Sequence, residues 1–462
     1  MTLTTAFLEL CGEWSTVFAQ QRSTQRAKKM ALSSVLCAGR KWVTHFLCVQ
    51  QAEMLDWSAD YKLFSRAPWK VADLFDPVVK ESMTYFGDGP IRLACDETRT
   101  KRGGNKVKRS RYTRDPLSPP FHINFMKGIR WVQFSALLPL HQDHDVGALG
   151  VPVAFEPVDL PAKPKRGASD EEKKAYEKAK QQNNLCLKTL DLLRDLRRRF
   201  DRAGAAGKRM LVAVDGGFCN KVMFQAVLER TTLIARCRKD AKLCFQAKDA
   251  ANPRKVYADE KFTPEGVRKD DSIPWKKIKV YMGGRFREIR CKEVCQVLWQ
   301  GGAKRKPLRL LVVAPTPYKP SPGMQRCYYR QPAYILVTDH DTPVKELLQC
   351  YCDRWQIEVN HRDEKQYMGI ADAQVWNDES VDRLPAFLVC TYAILMLATL
   401  KAYGPKRTVE YQTPPRWQNK RRKRPSCVDM LRKLREEAHQ NPGVEAEVGF
   451  PIDLTHILLH AA

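Results

Sequence analysis

The sequence predicts an α/β fold in which a mixed sheet is flanked by helices. Ile91–Cys95 alternates between apolar and other residues as a half-buried strand does, and Arg209–Val214 is a largely apolar run that is typical of a strand buried on both faces. The stretch from Thr342 to Gly369 has neither proline nor glycine between its opening Thr-Pro and its final glycine, and it predicts a helix. Strands and helices therefore alternate along the chain, as an α/β fold requires.

The charge of the chain points to a polyanionic partner. Its 79 Lys and Arg residues outnumber 52 Asp and Glu residues, which gives a formal net charge of +27 over 462 residues. A basic surface binds nucleic acid strongly because binding releases condensed counterions. An anionic membrane is a weaker alternative, because we find no long basic amphipathic helix and no lipidation signal. We expect nucleic acid as the partner, with no membrane and no small-molecule substrate.

Cysteine usage and hydropathy indicate a cytoplasmic, nucleoid-associated protein. The 15 cysteines are scattered without paired metal-binding spacing, and their odd number fits a reducing compartment. The longest apolar run, Leu384–Leu400, contains Pro385 and is shorter than the ~20 residues that a bilayer requires. It is therefore expected to be a buried helix.

The first 85 residues are expected to form several short helices. Between positions 26 and 49, apolar residues at helical spacing alternate with basic ones. This pattern fits a small helical module that binds DNA. It fits equally well a plain helical bundle that packs on the next domain, and the sequence leaves both open.

Two acidic residues follow two predicted strands in the region 86–238. Asp96 comes after Cys95 and precedes a basic, glycine-containing loop with Lys101 and Arg102, while Asp215 comes directly after Val214. Carboxylates at strand ends are suited to a metal and phosphate site. The segment 98–120 is basic and contains prolines, so it is expected to be exposed and to contact DNA. Further expected elements are strands over 122–126 and 129–140 and one long charged helix over 169–203.

The remainder of the chain divides into three regions. Residues 239–340 are basic and predict a β-rich insertion, with strands over 276–281, 286–290, 294–299, 308–313 and 333–337. Residues 341–402 return to helix and are expected to complete the core that begins at 86–238. Residues 403–462 form a basic tail with one short helix over 426–440. The run Lys420–Arg424 is expected to take up structure only on DNA, or else to serve as a solubilising tail.

One face of the predicted helix at 342–369 carries Tyr351, Arg354, Glu358 and Lys365. Their spacings of three, four and seven residues place all four side chains within an arc of about 60°. Such a face is a poor core stripe and a good surface for an anionic substrate. The alternative interpretation is a solvated helix face with ion pairs between neighbouring turns.

The spacing Tyr-x2-Arg-x3-Glu-x6-Lys resembles the signature of a large class of bacterial DDE transposases, the cut-and-paste insertion-sequence enzymes. The resemblance covers about 55–400 and implies a ribonuclease H-like catalytic domain with a β-insertion. It further implies that Asp96, Asp215 and Glu358 are the catalytic residues and hold Mg²⁺ or Mn²⁺, two ions per active site. Glu97 stands where many relatives have a second aspartate, so an exchange of roles with Asp96 stays open.

The resemblance also implies the partners and the reaction. The residues expected to contact DNA are Tyr351, Arg354, Lys365, Arg362, Lys101 and Arg102. The substrate would be double-stranded DNA, both element ends and target, held by a homodimer that cuts the ends and joins them elsewhere. Two other hypotheses remain: a catalytically silent DNA-binding protein derived from a transposase, and a standalone metal-dependent nuclease.

Overall fold

The computed structural model describes residues 1–107, 109–115, 118–119, 121–247, 252, 254–320, 323–413 and 423–459. The basic residues 420–422 lie outside the described residues, as do 108, 116, 117 and 120 of the basic segment 98–120. The helices are α1 (Leu3–Gly12), α2 (Gln21–Leu36), α3 (Val43–Val49), α4 (Ser58–Ser65), α5 (Asp76–Ser82), α6 (Asp170–Gln182), α7 (Leu185–Phe200), α8 (Lys221–Gln225), α9 (Pro264–Lys269), α10 (Gln300–Ala303), α11 (Val344–Asp353), α12 (Trp355–Gln366), α13 (Asp378–Tyr403), α14 (Cys427–Gln440), α15 (Pro442–Val448) and α16 (Leu454–Leu459). The strands are β1 (Ile91–Lys101), β2 (Arg111–Arg114), β3 (Phe125–Leu138), β4 (Leu149–Pro157), β5 (Met210–Val214), β6 (Thr231–Arg236), β7 (Lys276–Met282), β8 (Arg285–Leu298), β9 (Pro307–Val313), β10 (Pro317–Tyr318), β11 (Tyr328–Tyr329) and β12 (Ala333–Val337).

A mixed sheet forms the centre of the molecule and confirms the predicted α/β class. Over the described residues it has ten strands, in the order β2-β3-β1-β5-β6-β12-β9-β8-β7, with β4 paired to β3 beside β2. The pairs β1–β5 and β5–β6 are parallel, and all other pairs in this sheet are antiparallel. Parallel β1 and β5 are paired in register up to Cys95 and Val214, so the residues that follow these two positions lie side by side.

The predicted insertion extends the central sheet. Its strand β12 pairs with β6 on one side and with β9 on the other, and β8 and β7 continue the order outward. The two strands expected over 286–290 and 294–299 are one strand, β8, with a bulge between Val294 and Val297. The bulge keeps the strand paired to β9 across the irregularity, so one strand replaces two.

The two faces of the sheet are covered by different helices. On one face Leu93, Cys95 and Val214 pack with leucines of α7, while on the other Ala94 and Ala213 pack with Leu347 and neighbouring residues of α11. Successive side chains of a strand point to opposite faces. Residues of even number in β1 and of odd number in β5 therefore face α11.

Helix α13 is the central helix of the second layer and confirms the buried helix expected from the apolar run. It is long and apolar enough to cross a membrane, but 94% of its most apolar window is buried within the protein. It packs against α1, α4 and α5 of the N-terminal region and against β4. The C-terminal region joins the same core, because Arg435 of α14 donates to the carbonyls of Val35 and Cys37.

Several predicted elements have different bounds. The charged helix expected over 169–203 is two helices: α6 is bounded by a capping box of Ser169 and Glu172, and α7 begins after a new N-cap, Asn184. The two strands expected over 122–140 are the single strand β3. Residues 427–440 form the expected short helix, and α15 and α16 follow it.

Candidate active site

Parallel pairing of β1 and β5 places Asp96 and Asp215 side by side. Cys95 is paired with Val214, and the two aspartates are the next residues along their strands. Neighbouring strands lie about 4.8 Å apart, and the two carboxyls are close enough for Asp215 to raise the pKa of Asp96. Asp96 was expected at a strand end, but β1 continues past it to Lys101 because β3 remains paired on its other side. Asp215 does follow the last residue of β5.

The helix predicted over 342–369 is two helices, α11 and α12, with Arg354 between them. Arg354 keeps α-helical backbone angles, φ −48° and ψ −31°, so the chain direction changes little at the break. Tyr351 lies near the end of α11, while Glu358 and Lys365 belong to α12. Gly369 has a φ of +59°, which confirms the left-handed conformation expected after the helix.

The Arg354 guanidinium joins the helix to the strands. Its Nη2 donates to Glu358 Oε1 at 3.0 Å, and its Nη1 lies 3.6 Å from Asp96 Oδ2. All three side chains are partly shielded, with exposed fractions of 13% for Arg354, 20% for Asp96 and 34% for Glu358. The structure thus brings together residues that are more than 250 positions apart in the chain.

The carboxylates lie close enough to affect each other's ionisation. Burial raises the pKa of Asp96 to about 7; Arg354 acts against this increase, while Asp215 and Glu358 add to it. Burial also raises the pKa of Glu358, which Arg354 lowers and Asp215 raises. An arrangement of like charges around one cation favours a second positive charge or a protonated carboxyl.

Glu97 points to the opposite face of the sheet from Asp96. Its carboxylate forms ion pairs with Arg130 and, at 3.3 Å, with Arg99. The alternation of β1 places Glu97 on the α7 face, whereas Asp96 faces α11 and α12. Asp96 is therefore the residue that belongs to this cluster.

The residues expected to contact DNA are distributed over several places. Tyr351 is half-buried, and burial raises the pKa of its hydroxyl, with Arg354 and Arg236 opposing the shift. Lys365 is exposed and close enough to Asp96 to lower the pKa of that carboxyl. Arg362 is exposed and paired with Asp363 at 2.7 Å.

Arg102 corrects the sequence prediction. Lys101 is exposed, as a DNA contact requires, but Arg102 is only 7% exposed. Its guanidinium donates to the carbonyls of Ile370, Ala371 and Ala373 in the segment after α12. Residues of even number in β1 face the helices, and Arg102 continues that pattern. It positions the end of β1 against the segment that follows α12, and burial keeps its remaining donor, Nε, away from a phosphate in this conformation.

A buried polar network beneath the cluster has no signal in the sequence pattern. Gln133, which is paired with Asp96 in the sheet register, donates to Glu364 at 2.8 Å. Ser135 donates to Asn360 at 2.9 Å, and Asn360 donates to the Gly150 carbonyl. These bonds hold α12 against β3 and β4. Their partners are far apart in sequence, so only the fold reveals them.

The donor set fits a hard divalent cation by chemistry, because all three candidate ligands are carboxylates. Among the described residues, no group of three His, Cys, Asp or Glu side chains is already arranged to hold a metal ion. The Arg354 guanidinium stands between Asp96 and Glu358. A cation shared by these carboxylates requires that guanidinium to move toward another anion.

A large cleft of about 1350 Å³ opens beside α11 and α12. Its walls carry cations and aromatic rings, among them Arg287, Arg330, Tyr329, Trp355 and Arg424. Trp355 and Tyr329 are 59% and 66% exposed. Tyr351 and Arg354 line the cleft, so an anion lying in it can contact the arginine that binds Glu358. No protein-family model matches the chain, and no curated protein matches it significantly.

Proposed function

We propose that the chain is a DDE transposase of the Tyr-Arg-Glu-Lys insertion-sequence class, which cuts element ends and joins them to target DNA by a cut-and-paste route. The observation that carries this proposal is the Arg354 guanidinium between Asp96 and Glu358, with Asp215 on the neighbouring strand. Three acidic residues from separate segments lie close together on one face of the sheet, in a chain of net charge +27. This combination suits metal-dependent chemistry on a polyanion.

The proposed ribonuclease H-like core is supported by the strand directions. Antiparallel β3 and parallel β5 flank β1, and α11 and α12 cover the face that carries Asp96. The β-rich stretch between Asp215 and Glu358 lies where the resemblance implies an insertion.

In this proposal Asp96, Asp215 and Glu358 hold two Mg²⁺ or Mn²⁺ ions. Such ions, when bound, activate the attacking oxygen and stabilise the leaving oxygen of an in-line phosphoryl transfer. The chain's own part is to present three deprotonated carboxylates and to keep the phosphate in place. Since the pKa of Asp96 is about 7, that carboxyl has to release its proton to act as a ligand.

The cations of the site have a second task in this mechanism. Arg354 exchanges its carboxylate partners for a DNA phosphate, and Lys365 contributes a further positive charge at the same face. The Tyr351 hydroxyl donates to a phosphate oxygen or packs against a sugar. A homodimer on DNA, with both element ends paired, belongs to the same proposal.

A cleavage assay with matched carboxylate variants tests the proposal. Duplex DNA that contains the ends flanking the coding region is incubated with Mg²⁺ and wild-type protein, Asp96→Asn, Glu358→Gln or Glu97→Gln. Wild type and Glu97→Gln should cut and join the ends, because Glu97 faces the opposite side of β1. Asp96→Asn and Glu358→Gln should bind DNA but leave it intact.

The other two hypotheses give different results in the same assay. A silent DNA-binding derivative would bind the ends without cutting them even as wild type. A standalone nuclease would cut without joining. Equal cutting by wild type and Glu358→Gln would contradict the assignment of the site.

A further inference from the structure

The β2–β3 hairpin exposes a group of large apolar side chains next to cations. Tyr112, Phe121, Ile123 and Phe125 are 75%, 91%, 51% and 69% exposed, and Arg114 is exposed beside them. These five residues are called the hairpin patch below. Proteins rarely leave several large apolar side chains bare in one place without a partner for them.

The strand register places aromatic and basic residues on the same face of the hairpin. Tyr112 is opposite Lys127 and Arg114 is opposite Phe125. Directly opposite residues of an antiparallel pair share a face, and so do residues two apart on one strand. Each ring therefore has a cation across from it and another beside it. Cations and aromatic rings in this arrangement suit a polyanion that also carries flat apolar groups, the rings contacting those groups and the cations contacting its charges.

This face is the one that carries the candidate active site. Gln133 is opposite Asp96, and Phe125 lies on the same face because it is eight residues from Gln133 along β3. At about 3.3 Å per residue, Phe125 is about 26 Å from the level of Asp96. That distance corresponds to about eight base pairs of a duplex, at about 3.4 Å each.

The base of the hairpin contacts the non-helical segment that follows α12. Arg102 donates to the carbonyls of Ile370 and Ala373, and the Lys106 ammonium lies 5.3 Å from the centre of the Trp376 ring. Gly128 lies so close to β1 that a Cβ there would be 2.3 Å from the Thr100 carbonyl oxygen. These contacts join the base of the hairpin to the segment that directly follows the helix of Glu358.

We propose that the hairpin patch is a DNA-binding surface, at which Tyr112 and Phe125 insert into the minor groove of the duplex beyond the reacting phosphate. Arg114, which shares the face of these two rings, binds a flanking phosphate. Apolar wedges framed by basic residues are a common way to grip and bend a duplex. A second copy of the chain is a poorer occupant, because two strongly basic surfaces repel each other. The inference rests on the proposed function and adds the position and manner of one DNA contact.

The test is DNA binding in EDTA, where cleavage plays no part. A 30-base-pair mixed-sequence duplex with 2-aminopurine at successive positions reports unstacking by an increase in fluorescence. The double variant Tyr112→Ser/Phe125→Ser should bind about tenfold or more weakly, because each aromatic contact with a base contributes substantially to affinity. It should also lose the fluorescence increase. Arg114→Gln should reduce the slope of log affinity against log salt by about one.

Val227→Ser is the matched control, because Val227 is 86% exposed and lies before the start of β6, at the other end of the parallel strands. It should bind as wild type does. Unchanged affinity and fluorescence in the double variant would overturn the inference. So would loss of self-association in sedimentation with DNA binding intact, which would assign the patch to a second copy. If the double variant shows these binding changes but wild type does not cleave DNA in the assay with Mg²⁺, the proposed function is contradicted and this inference stands.

Discussion

Arg354 and Glu358 form an ion pair across one turn of helix, with Nη2 3.0 Å from Oε1. The same guanidinium lies 3.6 Å from Asp96 Oδ2, so it neutralises carboxylates of the helix and of the sheet together. An arginine in this position offsets the repulsion between the two carboxylates for as long as no other charged group replaces its contacts. The behaviour of the site on substitution follows from this arrangement.

Replacement of Arg354 should leave two partly buried carboxylates without their cation. Arg354→Ala is expected to raise the pKa of Asp96 further, because the group that opposes the burial effect is gone. It should also lower the free energy of unfolding at pH 8 by about 1–3 kcal/mol. Carboxyl-carbon NMR of the Asp96 side chain over pH 5–9 measures the first effect. Arg362→Ala, which removes an exposed arginine of α12, is the control and should leave the Asp96 titration unchanged.

The buried Glu364 predicts a definite pH dependence of stability. Burial raises its pKa to about 8, whereas an unfolded chain has the ordinary glutamate value of about 4.3. Between these values the folded state binds a proton that the unfolded state does not, so stability should fall as pH rises from about 4.5 to 8. Denaturant unfolding at pH 5 and pH 8 measures this slope. In Glu364→Gln it should be smaller by up to about 1.4 kcal/mol per pH unit.

The exposed Glu177 provides the control for that experiment. Glu177→Gln on α6 removes a solvated carboxylate with 57% exposure and should leave the slope as it is in wild type. An equal loss of slope in both variants would show that general charge, and not the buried carboxyl, causes the pH dependence.

Gly128 should tolerate no side chain. A Cβ at this position would lie 2.3 Å from the Thr100 carbonyl oxygen, and backbone cannot give way as a flexible side chain does. Gly128→Ala is expected to lower the free energy of unfolding by about 1–3 kcal/mol. Gly103→Ala, where the added methyl group meets nothing within 4 Å, should change it little. Thermal unfolding of the two variants beside wild type gives the comparison.

Lys101 and Arg102 are adjacent, but their replacement by alanine should have different effects on stability and on DNA binding. Arg102→Ala removes a buried guanidinium that binds three carbonyls, so it should lower stability by about 2–4 kcal/mol. Lys101→Ala should leave stability within about 0.5 kcal/mol and reduce the salt dependence of DNA binding by about one phosphate contact. Denaturant unfolding together with binding at several salt concentrations separates the two. The reverse pattern would restore Arg102 as a DNA contact.

The sequence predicted the elements with strong local patterns. The apolar run at β5, the alternation at β1 and the apolar stretch of α13 are all where periodicity indicated. The face of Tyr351, Arg354 and Glu358 survives the helix break, because Arg354 keeps helical backbone angles. Boundaries were less predictable: Asn184 caps a new helix inside what periodicity marks as one charged helix.

Contacts between distant segments of the chain could not be predicted from local sequence patterns. In the sequence, Lys101 and Arg102 are two adjacent basic residues that no local pattern distinguishes. Only the pairing of β1 shows that Arg102 faces the helices and Lys101 faces solvent. The bond between Gln133 and Glu364 joins segments that share no motif. Nor does periodicity reveal that the insertion strands continue the central sheet, since strand partners are chosen by global topology.

The most direct test of the central claim is the position of divalent cations in crystals of the protein with a DNA duplex and Mn²⁺. Anomalous scattering locates manganese without reference to the protein model. We expect two peaks bounded by Asp96, Asp215 and Glu358, with the Arg354 guanidinium moved from the carboxylates to a phosphate. Manganese bound elsewhere, or no peak at this cluster while Arg354 still bridges Asp96 and Glu358 beside bound DNA, would contradict the account.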